Sequence, residues 1–418
     1  MTRGARGDTG ALPWFETKPR ISRSSRSGYI RFVALSGILA AAQILILPRR
    51  LDETSFGITV LAISVTQGVL VLGDVGLTLF ASDTTRNQDE RRALRSLVMT
   101  TATAFSLGVC TIFLVLAMTW PSQRELWLCL ALGAGTGWVL WPRAAKSLSA
   151  TASGDEVETL HNNLLWQNAP KPGLILSALV FPSAVVALAA GWLTSLLAGR
   201  MVLPHRPMRP AVWPPAGAWV VAFGIPAFSF GLMWADSYVL AATATLDDVG
   251  QYQVIYRALW AVTYLYLPLL ALAGTAFNAG DRRRWRRILV LAAIGTVAFT
   301  AAAAFALVRF GHRVWPTYSF DPQVAWLLAA AGVLAFGSAA SGSFLIMVGQ
   351  RVSVLLANVV GLIAVVVVSL ALIPAMGSAG AAIGSVTGYA LTSLLQTAMA
   401  LTVRRARTHE PRPRRMAS

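Results

Sequence analysis

The stretch Asp52–Val65, DETSFGITVLAISV, returns in altered form at Thr245–Ala258, TLDDVGQYQVIYRA, with Gly57 falling on Gly250. The offset is about 193 residues, and it holds along the chain. QDERRALR from Gln88 falls on GDRRRWRR from Gly280, and Asn163 falls on Asn358. LTSLL occurs at Leu193–Leu197 and again at Leu391–Leu395, so the offset drifts only to 198 and needs few inserted residues. The first half of the chain is therefore repeated in the second. Both halves are built from apolar segments, and a duplicated helical bundle in a membrane is an architecture used for transport between the halves.

Of 418 residues, 56% are hydrophobic and 13% charged, with a mean hydropathy of +0.60. A soluble protein could not hide that much apolar surface. Runs such as Val352–Ile373 and Ile288–Val308 match the ~20 residues needed to cross a bilayer. A transmembrane β-barrel is excluded, because its segments would be about 10 residues long with alternating polarity. The net charge of +17 sits between the apolar segments and reports topology, not nucleic-acid binding. Cys110 and Cys129 both fall inside spans and carry neither a disulfide nor a metal signal. The first 28 residues are polar and basic with no apolar core, which predicts a cytoplasmic tail without a signal peptide.

Ten spans are predicted near 30–48, 57–80, 96–119, 125–148, 216–240, 250–275, 288–308, 323–348, 352–373 and 378–402. Hydropathy reads 155–201 as one further span. The repeat instead maps 157–180 onto 352–373 and 183–201 onto 378–402, giving twelve. Charge decides in favour of twelve. With twelve spans, 28 of the 35 Lys and Arg fall on one side and five on the other, with Lys171 and Arg257 inside spans. Eleven spans would put Arg282–Arg287 and the tail Arg404–Arg415 on the outside, against the positive-inside rule. The expected architecture is all-α. It has twelve transmembrane helices in two parallel six-helix repeats around a central cavity, with both termini cytoplasmic. The divisions are a basic tail over 1–28, a lobe over 29–201, a linker over 202–215, a lobe over 216–403 and a basic tail over 404–418.

Ionisable residues inside spans cost several kcal/mol unless they meet water or a partner. Asp74 lies near the cytoplasmic end of span two, and His161 near that of span five, where each can reach interfacial water. Asn163, Gln167 and Lys171 recur every four residues in span five and form one inclined polar ridge, flanked by Trp166 and Asn168. Pro170 and Pro172 should bend or break that helix. The ridge reads as a cavity wall or as an interfacial segment. Asp236 and Arg257 sit at similar depth a short loop apart, which suggests an ion pair, either structural or with Arg257 turned to the cavity to bind phosphate. Tyr252, Tyr256, Trp260 and Tyr264 form an aromatic row that reads as a sugar path or as packing. Gly380, Gly384 and Gly388 let another helix approach.

Leu47–Ser82, LPRRLDETSFGITVLAISVTQGVLVLGDVGLTLFAS, resembles the first helices of polysaccharide flippases. So do DSYVLAATATLDDVGQYQVIYRAL from Asp236 and the stretch from Gly342 to Leu391. These belong to the multidrug/oligosaccharidyl-lipid/polysaccharide exporter (MOP) superfamily, and the resemblance covers roughly 29–405. It implies two six-helix lobes around a cavity that opens alternately to each face. It also implies a polyprenyl-diphosphate-linked oligosaccharide as cargo, flipped in a bacterial inner membrane. Membrane lipids, glycosyltransferases and a polysaccharide polymerase would be its partners, without nucleic acid. Arg257, Lys171, Gln167, Asn163, Tyr256 and Trp260 become the expected substrate contacts, and Asp236 and Asp74 the ion-coupling candidates. The alternatives are an ion-coupled multidrug antiporter of the same superfamily, or a membrane enzyme of polysaccharide assembly. The short outside loops weigh against the enzyme. There is no phosphate loop, metal-ligand cluster, catalytic triad or cofactor motif, so energy would come from a gradient.

Overall fold

The structure is a computed structural model that describes residues 23–73, 75–77, 88–153, 161–162, 165–199, 215–278 and 280–409. Asp74, Asn163, most of the expected linker and most of both expected basic tails lie outside the described residues. Among the described residues there are helices and no strands. They are α1 (Arg23–Arg50), α2 (Glu53–Leu72), α3 (Gln88–Thr119), α4 (Arg124–Ser153), α5 (Pro170–Val180), α6 (Ala184–Gly199) and α7 (Ala216–Thr243). The series continues with α8 (Leu246–Trp260), α9 (Thr263–Asn278), α10 (Arg282–Val314), α11 (Pro322–Met347), α12 (Arg351–Met376) and α13 (Ser378–His409).

The repeated stretches are two copies of one capped helix start. Asp52 accepts from the Ser55 amide at 2.7 Å to begin α2. Thr245, its counterpart, forms a reciprocal capping box with Asp248 to begin α8. Asp281 and Asp321 cap α10 and α11 in the same way, and each such cap is worth about 1 kcal/mol. Inside the protein, α2, α4 and α6 pack together with α3, α5 and α1, while α7, α12, α13 and α11 pack together with α8, α9 and α10. The two sets meet mainly through α2 against α8 and α7, with a lighter contact of α1 on α8.

The α2–α8 crossing depends on the repeated glycines. A Cβ on Gly57 would lie 2.5 Å from the Leu246 carbonyl oxygen and 3.1 Å from the Gly250 amide, and one on Gly250 would strike the Glu53 carbonyl. Residues that occupy the same place in each repeat therefore touch each other, as they must where a two-fold-like axis passes. The Gly380, Gly384 and Gly388 ladder packs as expected. A Cβ at Gly380 would meet the Leu372 carbonyl carbon at 2.6 Å, and one at Gly388 the Gly361 carbonyl oxygen at 2.8 Å. Cys129 is fully buried and Cys110 half-buried, and neither is in a disulfide.

Among the described residues, seven helices are long and apolar enough to cross a membrane: α2, α7, α10, α11, α12 and the apolar parts of α3 and α13. The chain is an all-α, multi-pass membrane protein. Two expected spans differ from uniform helices. The segment expected at 250–275 is broken at Ala261–Val262 into α8 and α9, where the Val262 amide turns back to the Leu259 carbonyl at 3.2 Å. No proline or glycine sits at that break. Instead Trp260 is caught between Tyr256, with ring centroids 4.8 Å apart, and Tyr389 on α13, at 5.5 Å. Span five is interrupted at Ala169, and α5 begins at Pro170, where the missing N–H costs nothing.

Span five also corrects the register of the repeat. Asn168 donates to Ser36 at 2.9 Å, and Asn358 donates to Ser229 at 2.9 Å. Ser36 and Ser229 are equivalent in the repeat, so Asn168 is the counterpart of Asn358, not Asn163. Gly173 against Thr194 likewise repeats Gly361 against Thr392.

Candidate functional site

Two cations face each other across the seam between the helix sets. Lys171, at the start of α5, donates to the Asn168 side-chain oxygen at 2.8 Å and lies 5.7 Å from the ring centre of Tyr264 on α9. Asn168 is itself held by Ser36, so the ammonium is positioned by a chain of bonds from α1. Arg257 on α8 lays its guanidinium 4.9 Å from the Trp234 ring of α7. Its Nε and Nη2 are shut off from solvent and have no hydrogen-bond partner among the described residues. The two cations are close enough to repel each other. Tyr264 stands between them in charge terms, 40% exposed and facing both.

The expected Asp236–Arg257 ion pair is not formed. Asp236 is fully buried and turned the other way, into α8 and α13. Its carboxylate accepts from Tyr252 Oη at 2.5 Å, Ser385 Oγ at 2.5 Å, the Ser237 amide at 2.5 Å and Ser237 Oγ at 2.9 Å. Gln253 Nε2 donates to Ser237 Oγ at 2.5 Å and extends the network. The physical reason is helical angle. Arg257 lies five residues beyond Tyr252, about 140° round the axis of α8, so it leaves the helix on a different side from the Tyr252 hydroxyl that binds Asp236. Depth along two helices placed the charges together, but rotation about the axes separated them.

The other expected contacts divide. Tyr256 is buried, donates to the Met233 carbonyl at 3.0 Å and stacks on Trp260, so this part of the aromatic row is packing that fixes α8 against α7 and α13. Gln167 is exposed beside the turn at Ala169, and His161 is exposed as well. Asn163 and Asp74 lie outside the described residues. Sequence reading missed Asn168 as a contact in its own right, and it missed Ser385 and Ser237. A serine in an apolar helix gives no signal until its partner is known.

At the α2–α8 crossing a polar latch joins the two sets. Thr54 Oγ1 bonds to the Asp247 carboxylate, and Gln251 Nε2 donates to Glu53 at 2.8 Å. Thr54 and Asp247 are repeat counterparts. The loop after α10 closes over them: Ser319 donates to Gln251 at 2.5 Å, Tyr318 packs edge-on to Phe56, and Arg49 donates to the Val314 carbonyl at 2.7 Å. Farther along α2, Ser64 bonds Tyr238 at 2.7 Å and Trp234 donates to Gln67 at 3.2 Å. The seam is fastened again at the other end of α2, where Trp219 Nε1 donates to the Val75 carbonyl at 2.8 Å, and Lys171 and Arg257 lie between the two fastenings.

Compared with solved structures, the chain aligns over nearly its whole length. An outward-facing multidrug resistance MATE family transporter of the MOP superfamily matches with a TM-score of 0.55 at 14% identity, covering 96% of this chain and 99% of that one. The fold is that of the MOP-superfamily transporters. An inward-facing MATE transporter matches with a TM-score of 0.53 at 12% identity, covering 90% and 96%. A MOP superfamily transporter from Pyrococcus furiosus matches with a TM-score of 0.57 at 13% identity, covering 96% and 99%. No protein-family model and no curated protein sequence matches the chain.

These likenesses correct the expected function. The solved chains named here are described as multidrug or MOP-superfamily transporters, and none is described as a glycan-lipid flippase. The lipid-linked oligosaccharide, the glycosyltransferases and the polymerase fall away with the flippase expectation. The quoted motifs are helix starts and packing glycines, which pointed to the fold and do not specify a cargo. The fold matches non-catalytic transporters, and among the described residues no cluster of three His, Cys, Asp or Glu could hold a metal.

Proposed function

We propose that the chain is an ion-coupled antiporter of amphipathic organic solutes in the bacterial inner membrane, working by alternating access. The carrying observation is a likeness along nearly the whole chain to transporters described as outward-facing and as inward-facing, so the fold supports both states. In this reading twelve spans form lobes over 29–201 and 216–403, joined by a cytoplasmic linker over 202–215, with both termini cytoplasmic. The latch at Thr54–Asp247 closes the outer face, and the Trp219–Val75 bond holds the α2–α7 seam at the cytoplasmic face, so both must part in turn for alternating access.

Arg257 and Lys171 line the cavity between the lobes from opposite sides, with Gln167 at its margin and Tyr264 between them. An unpaired buried cation disfavours a cationic solute and favours an anionic group, to which guanidinium presents a planar fork of donors. Asp236 serves as the ion-coupling residue. Four donor groups aimed at its oxygens solvate the ionised form, since a carboxylate only accepts. Adding a proton forces Tyr252 or Ser385 to give up its donor role and turn. That ties the charge on Asp236 to the packing of α7, α8 and α13.

The test uses the full chain in proteoliposomes with an imposed pH gradient and 1-anilinonaphthalene-8-sulfonate as an anionic probe. Gradient-driven movement of the probe is expected, and ethidium should move far less. Asp236→Asn should remove the dependence on the gradient while leaving probe-for-probe exchange. Movement of neither solute, with protein correctly inserted, overturns the reading.

A further inference from the structure

The second helix set holds a cleft of about 350 Å³ between α7, α9, α11, α12 and α13. Its mouth begins one turn of α9 beyond Tyr264, at Leu267, and it reaches Val354 near the start of α12. No ionisable side chain lines it. One wall is apolar, from Ile225, Leu267, Leu270 and Ile346. The other is a connected run of neutral hydrogen-bonding groups. Ser338 donates to Gln396 Oε1 at 3.2 Å, Gln396 Nε2 donates to Asn358 Oδ1 at 3.0 Å, and Asn358 Nδ2 donates to Ser229 at 2.9 Å.

The run fixes how those groups are oriented, and it leaves capacity unspent. Each amide nitrogen has two hydrogens and each amide oxygen two lone pairs, and a hydroxyl that accepts can still donate. The internal bonds use one hydrogen each of Gln396 and Asn358. The second hydrogens, a second lone pair on Asn358 Oδ1 and the Ser229 hydroxyl proton are free for a ligand. Amides locked to one another in this way present donors and acceptors at fixed points beside an apolar wall, the usual make-up of a small-molecule site.

The repeat shows that the space is specific to this half. Trp127 and Gly133 of α4 align with Trp326 and Gly332 of α11, and the same register places Arg143 on Gly342. The LTSLL pair places Ala198 on Gln396. In the first half Arg143 fills the equivalent space, donating to the Ala198 carbonyl at 3.1 Å and to Asn162 at 3.3 Å. In the second half the arginine is replaced by glycine and the alanine by glutamine. A Cβ on Gly342 would come within 3.0 Å of Gln396 Oε1, so the pairing is the same and only the filling is absent. Where the first half has an arginine against an alanine, the second has a glycine against an amide.

We propose that this cleft is a binding site for uncharged amphiphiles with a hydroxyl or amide head and an apolar or aromatic body. It is distinct from the Lys171–Arg257 pair, and it does not depend on transport or on ion coupling. Charged solutes are disfavoured because nothing in the lining can pair with them.

Chloramphenicol, a neutral molecule with an amide, two hydroxyls and an aromatic ring, is a suitable probe. Equilibrium dialysis of the radiolabelled compound against the full chain in nanodiscs should show one saturable site. Ser229→Ala combined with Ser338→Ala should weaken it by about tenfold, as expected when the free Ser229 hydroxyl is lost and Gln396 is no longer held. Ala339→Phe should abolish it by filling the cleft. Arg257→Gln should leave it unchanged. Size-exclusion profiles matching the wild type establish that each variant is folded, and the serine pair tests the site should Ala339→Phe fail that control. Absence of saturable binding to the wild type overturns the assignment, as does full binding to Ala339→Phe. Loss of binding in Arg257→Gln moves the ligand to the central pair and overturns it too, whatever the fate of the antiporter reading.

Discussion

Replacing Arg257 with methionine should make the protein more stable and inactive at once. The guanidinium has two nitrogens, Nε and Nη2, buried without an acceptor. A buried donor left unmade costs about 1–3 kcal/mol, so the pair costs about 2–6 kcal/mol. The stacking on Trp234 at 4.9 Å returns about 1–2 kcal/mol. Methionine keeps the length of the stem, so little cavity is left behind. The net expectation is a gain of about 0–5 kcal/mol, centred on roughly 2–3. Unfolding entropy of about 2.1 cal/mol/K per residue converts that to a rise of up to about 6 °C in midpoint for a chain of this length. The assay is thermal unfolding of the purified protein in detergent, followed by tryptophan fluorescence, beside the proteoliposome uptake described above. The anionic probe should raise the midpoint of the wild type and leave that of Arg257→Met unmoved. A lower midpoint for Arg257→Met would refute the reasoning. It would mean that the arginine is satisfied in the folded protein and acts as a structural strut.

Cysteines placed at Thr54 and Asp247 should cross-link under oxidation, hold the α2–α8 crossing shut and stop transport, with activity restored by a reductant; undiminished transport in the fully cross-linked protein would show that this crossing does not open. Reporter fusions should place residue 281 on the cytoplasmic side and residue 182 outside, and the reverse at either site would end the twelve-span arrangement. A glycine-to-valine change at Gly250 should lower the yield of folded protein, because its side chain would be driven into the Glu53 backbone; a normal yield would show that the helices can part there without loss.

Much of this protein is fixed locally and is therefore legible along the chain. Apolar runs commit segments to the membrane, Asp52, Thr245, Asp281 and Asp321 begin helices where they stand, and Pro170 marks the start of α5. The repeat added something less local, the meeting of Gly57 with Gly250. It did so because equivalent residues on the axis between two copies must touch. What the sequence could not supply was rotation. Asp236 and Arg257 are expected at one depth, yet one is bonded to Ser385 on the neighbouring α13 and the other faces Lys171. Each residue turns a helix by about 100°, so which face a side chain takes depends on how the whole helix is rotated against its neighbours. Which residue replaces Asn358 in the first half, which aromatic rings pack and which stand free, and whether a space is filled by Arg143 or left open by Gly342 are settled only when the helices are set against one another. A side chain's partner belongs to a different element, and burial in a protein interior leaves room for only one arrangement of the two.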